Sequence, residues 1–435
     1  AAGEPLPEAA RRRAALLLAD DIGAAVAACA EPEVAAARAL EPTAGPPEAT
    51  VFAAGAPRLD RVSAAVANGM AATWAELDEG YRLAPCHAGA YVWPALVAEA
   101  QASGASVGAT LSALAVAYDM TARLARAFPF AAMTVHPHAA FAPFGAAAGV
   151  ALLRRLDADA LLRAASGAAS MSFAGPYGHA IDGALARNAW TAAGAWIGFR
   201  SVGWAQAGIG GLAETPYDVF AISFGTGCAP HEIDADLGTR WSVAEGYHKV
   251  FACCQYAHSM LEATLELHRR LGPDAGAQVE AIEIETHPRG LTLTAVEPPT
   301  VLSAKFSMPH AAAAAARLGT GGQAAFARAT LDDPAIAALR RRVALKPLAQ
   351  IEPWPNDRAA RLVWIMRDGA RHEAACRNAR GGADQPFDEE TLRAKLADNS
   401  GAAFPAMART LWRLLDPASE GERLDDLLAT ATGER

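Results

Sequence analysis

The stretch from Trp74 to Pro94 carries the residues with the clearest capacity for acid–base chemistry. Glu76, Asp78 and Glu79 come first, and His87 follows within a Cys-His-Ala-Gly sequence. Carboxylates and an imidazole on a loop that leads into a helix are typical of a catalytic site, because a rigid scaffold positions such loop residues. A solvated acidic loop with one helix-capping histidine is the alternative interpretation. This segment is our first candidate for an active site.

A second histidine-containing stretch spans residues 135–145, where His136-Pro137-His138 precedes a run of alanine and glycine. Its residues could belong to the same site as His87. For His138 the alternative is a structural role, as a cap of the helix that follows it.

A third stretch, residues 172–183, reads SFAGPYGHAIDG and is predicted to be a glycine-rich loop. Its Tyr177 and His179 could gate a site or could lie on a plain surface. Asp182 is interpreted as a turn residue, since aspartate is common in turns.

Composition limits the classes of function that need to be considered. The chain has 435 residues, which favours two domains, and 52% hydrophobic residues, which indicates a folded globular protein. A net charge of −9 argues against general binding of nucleic acid or acidic membranes. The 6 cysteines include no Cys-x-x-Cys pair, so neither a zinc site nor a disulfide framework is predicted. We expect a cytoplasmic protein with reduced thiols and no membrane-spanning segment.

Helical spacing of apolar residues dominates the first half of the chain. Helices are predicted over residues 8–30, 60–77, 107–128 and 188–207, the last one buried on every side by small residues. Another helix is predicted to begin at Pro94, because the fixed φ of proline suits a first helical position. These helices would deliver the candidate loops to a common scaffold.

The pattern changes near residue 241. Residues 279–286 (VEAIEIET) alternate apolar and acidic residues and predict a half-buried strand, and Asp368-Gly369 between two strand-like runs predicts a type I′ hairpin. Helical sequence returns over 402–429. We therefore predict a mainly α protein, with a large all-helical domain formed by both chain ends (1–240 and 396–435) and a smaller α+β domain (241–395).

Several short motifs, taken together and in order, resemble the MmgE/PrpD family, which includes 2-methylcitrate dehydratase, cis-aconitate decarboxylase and iminodisuccinate epimerase. The matching pieces extend from about residue 20 to residue 400. They are Asn68-Gly69 with ELDE (76–79), His87-Ala-Gly-Ala with Pro94-Ala95, His136-Pro137 with Gly145-Ala-Ala-Ala, Gly194, Lys249 with Cys254 and His258, and Lys305-Phe306-Ser307-Met308-Pro309.

The resemblance implies an all-helical domain built from both chain ends and an α+β lid inserted between them. It also implies a homodimer, a small-molecule substrate, no metal or other cofactor, and an active site between the two domains. Family members break or invert a bond next to a carboxylate in a small acid. Such chemistry needs a base, groups that stabilise an enolate-like anion, and an acid for the leaving group.

By this resemblance His87 falls on a loop histidine of the family, His136 on the histidine of a His-Pro motif, and Lys249 on a lysine at the domain junction. Histidine suits proton transfer because its pKa lies near working pH. The predicted catalytic residues are His87, His136, His310 and Lys249. The predicted substrate-binding residues are Glu76, Asp78, Glu79, Arg82, His138, Tyr177, His179, Arg187 and His258.

Three positions depart from the family pattern. Gly183 stands where dehydratases and decarboxylases carry a lysine, His138 replaces a threonine, and His310 replaces a tyrosine. For His310 the alternative role is that of a residue at a helix start. Because removing a buried charge partner costs about 3–5 kcal/mol, loss of the lysine implies a different, less charged substrate.

Three functions follow from these observations. The leading hypothesis is a cofactor-independent lyase that eliminates water, with His87 or His136 as base and the other, or His310, as acid. The second is epimerisation, decarboxylation or cyclisation on the same scaffold, in secondary metabolism. The third is an inactive homologue that binds a ligand, which loss of the lysine keeps open.

Overall fold

The structure is a computed structural model that describes residues 6–434. Helices predominate, so the prediction of a mainly α protein is confirmed. The α-helices in chain order are α1 (Glu8–Ala28), α2 (Pro32–Arg38), α3 (Arg61–Ala72), α4 (Ala88–Ser103), α5 (Val107–Ala127), α6 (Pro137–Leu153), α7 (Ala158–Ala169), α8 (Gly178–Asp182), α9 (Ala189–Gln206), α10 (His258–Leu271), α11 (Val301–Lys305), α12 (Met308–Leu318), α13 (Arg328–Asp332), α14 (Pro334–Arg340), α15 (Glu389–Ser400), α16 (Met407–Leu411) and α17 (Leu424–Thr432). The strands are β1 (Gly80–Tyr81), β2 (Gly246–Tyr247), β3 (Val279–Thr286), β4 (Val343–Pro347), β5 (Ala360–Met366) and β6 (Arg371–Cys376).

The predicted strand over residues 279–286 is confirmed as β3. Its buried face carries Ile282, Ile284 and Thr286, because alternate side chains of a strand point to the same face. A register shift between Val279 and Ala281 lets Val279 be buried as well. Local alternation was therefore enough to find this strand.

Pro94 does not begin a helix, which corrects the sequence prediction. It is the seventh residue of α4, whose N-cap is His87. An interior proline removes one backbone hydrogen bond and costs about 3 kcal/mol in a helix. Pro94 and its neighbours from Ala88 to Gln101 are all buried, and this packing keeps the helix continuous past the proline.

Two further expectations need correction. The hairpin between β5 and β6 forms, but of the two turn residues only Gly369 has a positive φ, whereas a type I′ turn requires both. The chain instead uses a left-handed glycine after an ordinary turn. Helix α9 is not buried on every side, because Trp196 and Trp204 are exposed.

The chain divides into two compact units. The described residues of Ala1–Tyr177, Ala186–His248 and Phe387–Arg435 form the first unit, and Gly178–Leu185 with Lys249–Pro386 form the second. The first unit thus contains residues from both ends of the chain. The domain limits expected from the sequence, and the closing of one domain over the other, stay predictions.

Glycine and alanine set the spacing between the central helices of the first unit. A Cβ atom added at Gly194 or Gly198 of α9 would lie 2.7 or 2.5 Å from the Cβ of Ala142 or Ala146 of α6. Gly69 of α3 approaches the backbone of α9 in the same way. Since such distances leave no room for a larger side chain, α3, α6 and α9 pack backbone to backbone.

Buried polar contacts join the two ends of the chain within the first unit. Asp20 of α1 contacts the Nδ1 atom of His248 at 2.7 Å and the Nζ atom of Lys395 of α15 at 2.6 Å. The strand β1 pairs with β2, so Gly80 lies opposite Tyr247. These contacts hold the loop that leads to His87 against segments from the middle and the end of the chain.

The second unit combines a four-stranded sheet with helices. The strand order is β4-β3-β5-β6, with β3 and β4 parallel and the other pairs antiparallel. Helix α10 packs on β5 and β6, and α12 packs on β3. In residues 6–434 no helix has both the length and the apolar character needed to cross a bilayer.

We expect Gly198→Ala to destabilise the protein although alanine favours helix formation. The new Cβ would lie 2.5 Å from Ala146 Cβ and 2.8 Å from its backbone, and an overpacked core costs about 1–3 kcal/mol. Gly203 of the same helix has no atom within 4 Å of an added Cβ. Gly203→Ala is the matched control and should raise the free energy of unfolding by up to about 1 kcal/mol. Urea denaturation measures both, and a Gly198→Ala protein as stable as the control would contradict the packing described.

Candidate active site

The segment between α3 and α4 is held by a buried ion pair. Glu76 has a φ of 54°, a left-handed conformation that is unusual for glutamate. Its carboxylate lies 2.6 Å from the guanidinium of Arg187, and both side chains are almost fully buried. Arg187 also donates to the carbonyl of Thr73 and to Asn188. The strained turn at Glu76 is thus stabilised by a cation that comes from the segment before α9.

Asp78 and His87 form the contact with the clearest catalytic geometry. The Oδ2 atom of Asp78 lies 2.7 Å from Nδ1 of His87. The Asp78 side chain is fully buried, whereas the side chain of His87 is 18% exposed. A buried carboxylate that accepts from Nδ1–H fixes the ring orientation and leaves the lone pair on Nε2. His87 can therefore accept a proton at Nε2, and Asp78 would stabilise the resulting imidazolium.

Glu79 anchors the beginning of α4. Its backbone N–H donates to Asp21, and its two carboxyl oxygens accept from the N–H of Gly89 and the hydroxyl of Tyr118. Burial raises the pKa of Glu79 to about 8 and raises that of Asp21 well above its usual range, with neighbouring carboxylates adding to both effects. Burial thus favours the protonated forms of these two carboxyl groups. The predicted contact of Glu79 with substrate stays a prediction.

The second histidine stretch lies at the start of α6. His136 is the N-cap of this helix, and its Nδ1 atom accepts from the backbone N–H of His138 at 3.1 Å. The His136 ring stacks on Tyr177 and contacts Trp190. His136, rather than His138, is therefore the residue that caps α6. His138 lies within the first turn of this helix.

Three imidazole rings meet in the first unit. The ring centre of His138 lies 4.9 Å from that of His87 and 4.4 Å from that of His136, edge to face in both cases. The hydroxyl of Tyr91, one helical turn after His87, lies 2.8 Å from Nδ1 of His138. The structure thus brings together the histidines of two stretches that are far apart in the sequence.

Burial keeps His136 neutral. Its pKa lies well below the usual value, first because the ring is buried and then because Arg187 and His87 oppose a second positive charge. Nδ1 accepts from the backbone N–H of His138, and Nε of Arg187 donates to Nε2 at 3.4 Å, so both ring nitrogens face donors and a ring with N–H on both is disfavoured. His136 is therefore a weaker candidate than His87 for the base.

The remaining predicted catalytic residues, His310 and Lys249, lie in the second unit and are buried there. Nε2 of His310 donates to the carbonyl of Ala325, and its Nδ1 accepts from Arg340. Burial lowers the pKa of His310 to about 4. A neutral ring satisfies both contacts, which describes a structural histidine, and a catalytic role for His310 and Lys249 stays a prediction.

The predicted binding residues are divided between the two units. The first unit holds Arg82, which is half-buried, Tyr177 on the ring of His136, and Arg187 in its ion pair with Glu76. The second unit holds His179, which is half-buried, and His258, which is buried with Nε2 donating to the carbonyl of Cys253.

Gly183, in the second unit, cannot be replaced by lysine without a change of backbone. Its φ is 81°, and an added Cβ would overlap Thr300 and lie 2.8 Å from the Cβ of Ser303. Thr300 also donates to the carbonyl of Gly183. The loop is thus built around glycine, and Gly183→Lys would not restore a lysine side chain in an otherwise unchanged site.

Sequence reasoning missed Tyr91 and Asp21. Tyr91 could have been found, because it lies four residues after His87 and therefore on the same face of a helix that begins there. Asp21 gave no such signal, since it lies on α1 and meets Glu79 only in the folded chain. Within residues 6–434, no three His, Cys, Asp or Glu side chains are grouped so that they could hold a metal ion.

Comparison with known families gives two matches that together cover most of the chain. The model of the MmgE/PrpD N-terminal domain matches residues 1–224, and that of the MmgE/PrpD C-terminal domain matches residues 251–416. No curated protein matches the chain as a relative.

Stability should depend on pH through His136. Its folded-state pKa is depressed, so the unfolded chain binds the proton first, and the stability present above about pH 6.5 is lost as the pH falls toward the folded pKa. His136→Asn keeps an N-cap acceptor but does not titrate. Between pH 7 and pH 5 we expect the wild type to lose about 2 kcal/mol more free energy of unfolding than this variant. Urea denaturation across this range is the measurement, and equal losses in the two proteins would show that folding does not lower the pKa of His136.

Proposed function

Because the chain belongs to the MmgE/PrpD family, which includes dehydratases, we propose that it is a cofactor-independent lyase. Its substrate is a small organic acid or a related metabolite. The reaction removes a proton from the carbon next to a carboxylate or carbonyl and eliminates a group from the neighbouring carbon. The observation that carries the proposal is the contact of 2.7 Å between buried Asp78 and partly exposed His87.

In the proposed reaction, Nε2 of His87 takes the proton from carbon. The electron pair of the broken C–H bond moves into the carbonyl or carboxylate and forms an enolate-like anion. The anion then collapses, the new double bond forms, and the leaving group departs with the pair of its own bond as hydroxide, which a proton converts to water. Asp78 lowers the energy of the imidazolium through charge and hydrogen bonding, without itself taking the proton.

His136 is proposed to help hold the substrate rather than to act as base. It is neutral, and its Nδ1 lone pair is used by the backbone of α6. The leaving group still needs an acid, and His310 and Lys249 of the second unit are the remaining proposals from the sequence.

The substrate is proposed to carry less negative charge than a tricarboxylate. Gly183 occupies the position of a family lysine and lies in a loop that cannot accept a side chain without rearrangement. The family threonine after His-Pro is replaced by His138, whose ring is held by Tyr91. A homodimer and a cytoplasmic location stay predictions.

Exchange of carbon-bound protons in deuterated water tests the proposal. The protein is incubated with small hydroxy acids, with 2-methylcitrate and with cis-aconitate, and NMR follows loss of the α-proton signal and growth of an alkene signal. An eliminating enzyme gives both changes with at least one acid, and an epimerase gives exchange without an alkene. Absence of exchange with every acid would favour a binding protein, and turnover of 2-methylcitrate or cis-aconitate would contradict the altered substrate.

The same assay tests the assigned base. We expect His87→Gln to lower the exchange rate by about 10²–10⁴-fold, since general base catalysis contributes about that much. Asp78→Asn should also reduce the rate, because an amide does not stabilise the imidazolium. The exposed His231, in the first unit, gives the matched control His231→Gln, which should leave the rate unchanged. A His87→Gln protein that is folded and as active as this control would remove the assignment.

A further inference from the structure

The contact between Tyr91 and His138 joins the two helices that carry the histidines. Tyr91 lies on α4 and His138 on α6, and both side chains are buried. The phenol oxygen is 2.8 Å from Nδ1 of His138, and the ring centres are 5.3 Å apart. A polar pair at this depth is well defined in geometry, because neither group can exchange its partner for bulk water.

The direction of this hydrogen bond follows from the surroundings of the phenol. Burial raises the pKa of Tyr91 well above its usual range, so the hydroxyl keeps its proton. Nδ1 of His138, 2.8 Å away, is the acceptor within hydrogen-bond distance of this hydroxyl. The hydroxyl proton is then directed to Nδ1 of His138, where it needs a lone pair. A neutral His138 with its proton on Nε2 meets this requirement.

Protonation of His138 would break this arrangement. Nδ1 would then carry a proton toward a hydroxyl that already points its own proton there, and the hydroxyl would lose its acceptor inside the protein. Losing a buried hydrogen-bond partner is unfavourable. Tyr91 therefore acts against a positive charge on the middle ring of the three.

The charged groups around the three rings can balance one imidazolium, so a neutral His138 leaves that charge to His87. Asp78 lies against His87, and Arg187, paired with Glu76, lies against His136. The thiol of Cys86, in the segment before α4, acts electrostatically on the phenol of Tyr91. Among the described residues, the titratable groups around the three rings include Asp78, Glu76, Cys86, Tyr91, Tyr177 and Arg187. Asp78 is the carboxylate in direct contact with a ring, so it can balance one imidazolium, and a second cation 4.9 Å away on His138 would oppose the first.

We infer that Tyr91 and His138 are positioning residues that keep the middle ring neutral, so that the cluster takes up one proton and takes it up on His87. This inference rests on the proposed function of His87 as the base. His138 acts through its neighbours, since its own side chain is fully buried.

Nitrogen-15 NMR of histidine-labelled protein gives a test that needs no substrate. In the wild type at pH 7 we expect His138 to be the neutral tautomer with its proton on Nε2. As the pH is lowered, His87 should become protonated before either of the other two rings. A His138 ring with its proton on Nδ1, or a His138 ring that is protonated before His87, would overturn the inference even if the protein has no enzyme activity.

Variants extend the test to catalysis. Tyr91→Phe keeps the aromatic ring and removes the hydroxyl, so His138 should take up a proton together with His87. The acid limb of the exchange rate against pH should then move to lower pH by about one unit, because a cationic His138 opposes protonation of His87. His138→Gln is neutral at every pH and should leave the acid limb where the wild type has it.

The double variant Tyr91→Phe/His138→Gln distinguishes this mechanism from a general packing effect. We expect its acid limb to return to the wild-type position, since no second imidazole remains in the middle. An equal shift in Tyr91→Phe and in the double variant would overturn the inference. If exchange is absent in the wild type, the proposed function fails, while the NMR experiment still decides the state of His138.

Discussion

The hydrogen bond between the carboxylate of Asp78 and Nδ1 of His87 sets the requirements for the groups around it. A carboxylate with no exposed side-chain surface loses its hydration, and in a protein interior such a charge must be compensated by donors and by nearby positive charge. His87 supplies the donor at 2.7 Å and becomes the compensating cation when it accepts a proton. The same contact directs the free lone pair of the ring away from the carboxylate.

Other acidic groups nearby are arranged so that they do not compete with this contact. The pKa values of Glu79 and Asp21 are raised because both carboxyl groups are buried beside each other, which favours their neutral forms, and Glu76 is paired with Arg187 at 2.6 Å. Asp78 is thus the carboxylate of this segment that contacts His87. The three acidic residues of this segment thus have different roles in the fold: Glu76 pairs with Arg187, Asp78 bonds His87, and Glu79 anchors the start of α4.

The helical frame makes this arrangement possible at short range. Helices α4 and α6 both follow a histidine N-cap, and an added Cβ at Gly145 of α6 would lie 3.0 Å from Tyr91 of α4. A larger residue at Gly145 would separate the two helices and with them the rings of His87 and His138. The small residue at Gly145 therefore controls the distance between α4 and α6, and with it the distance between the histidine rings that these helices position.

Local features were predictable from the sequence, whereas pairings between distant segments were not. Asp157 caps α7 by accepting from the backbone N–H of Ala160, a contact that depends only on neighbouring residues. The helix around Pro94 was misjudged, since burial of its other residues outweighs the local cost of a proline. The pairing of Glu76 with Arg187 depends on how α3 and α9 pack, and no local pattern encodes it.

The site shows the same division. His87 and His136 were identified because the short motifs that contain them resemble motifs of a known family. In the structure the ring of His138 contacts the rings of both. Tyr91, which bonds the ring of His138, was not among the residues predicted from the sequence. The identity of the substrate depends on contacts that neither the sequence pattern nor the fold of one unit specifies.

The tautomer of His87 is the measurement that tests the central claim most directly. Nitrogen-15 NMR of the neutral ring in the wild type should show the proton on Nδ1, donated to Asp78, and an unprotonated Nε2. In Asp78→Asn this preference should weaken, because the acceptor is no longer charged. A neutral His87 ring with its proton on Nε2 in the wild type would contradict the account, because the atom proposed to accept the substrate proton would already carry one.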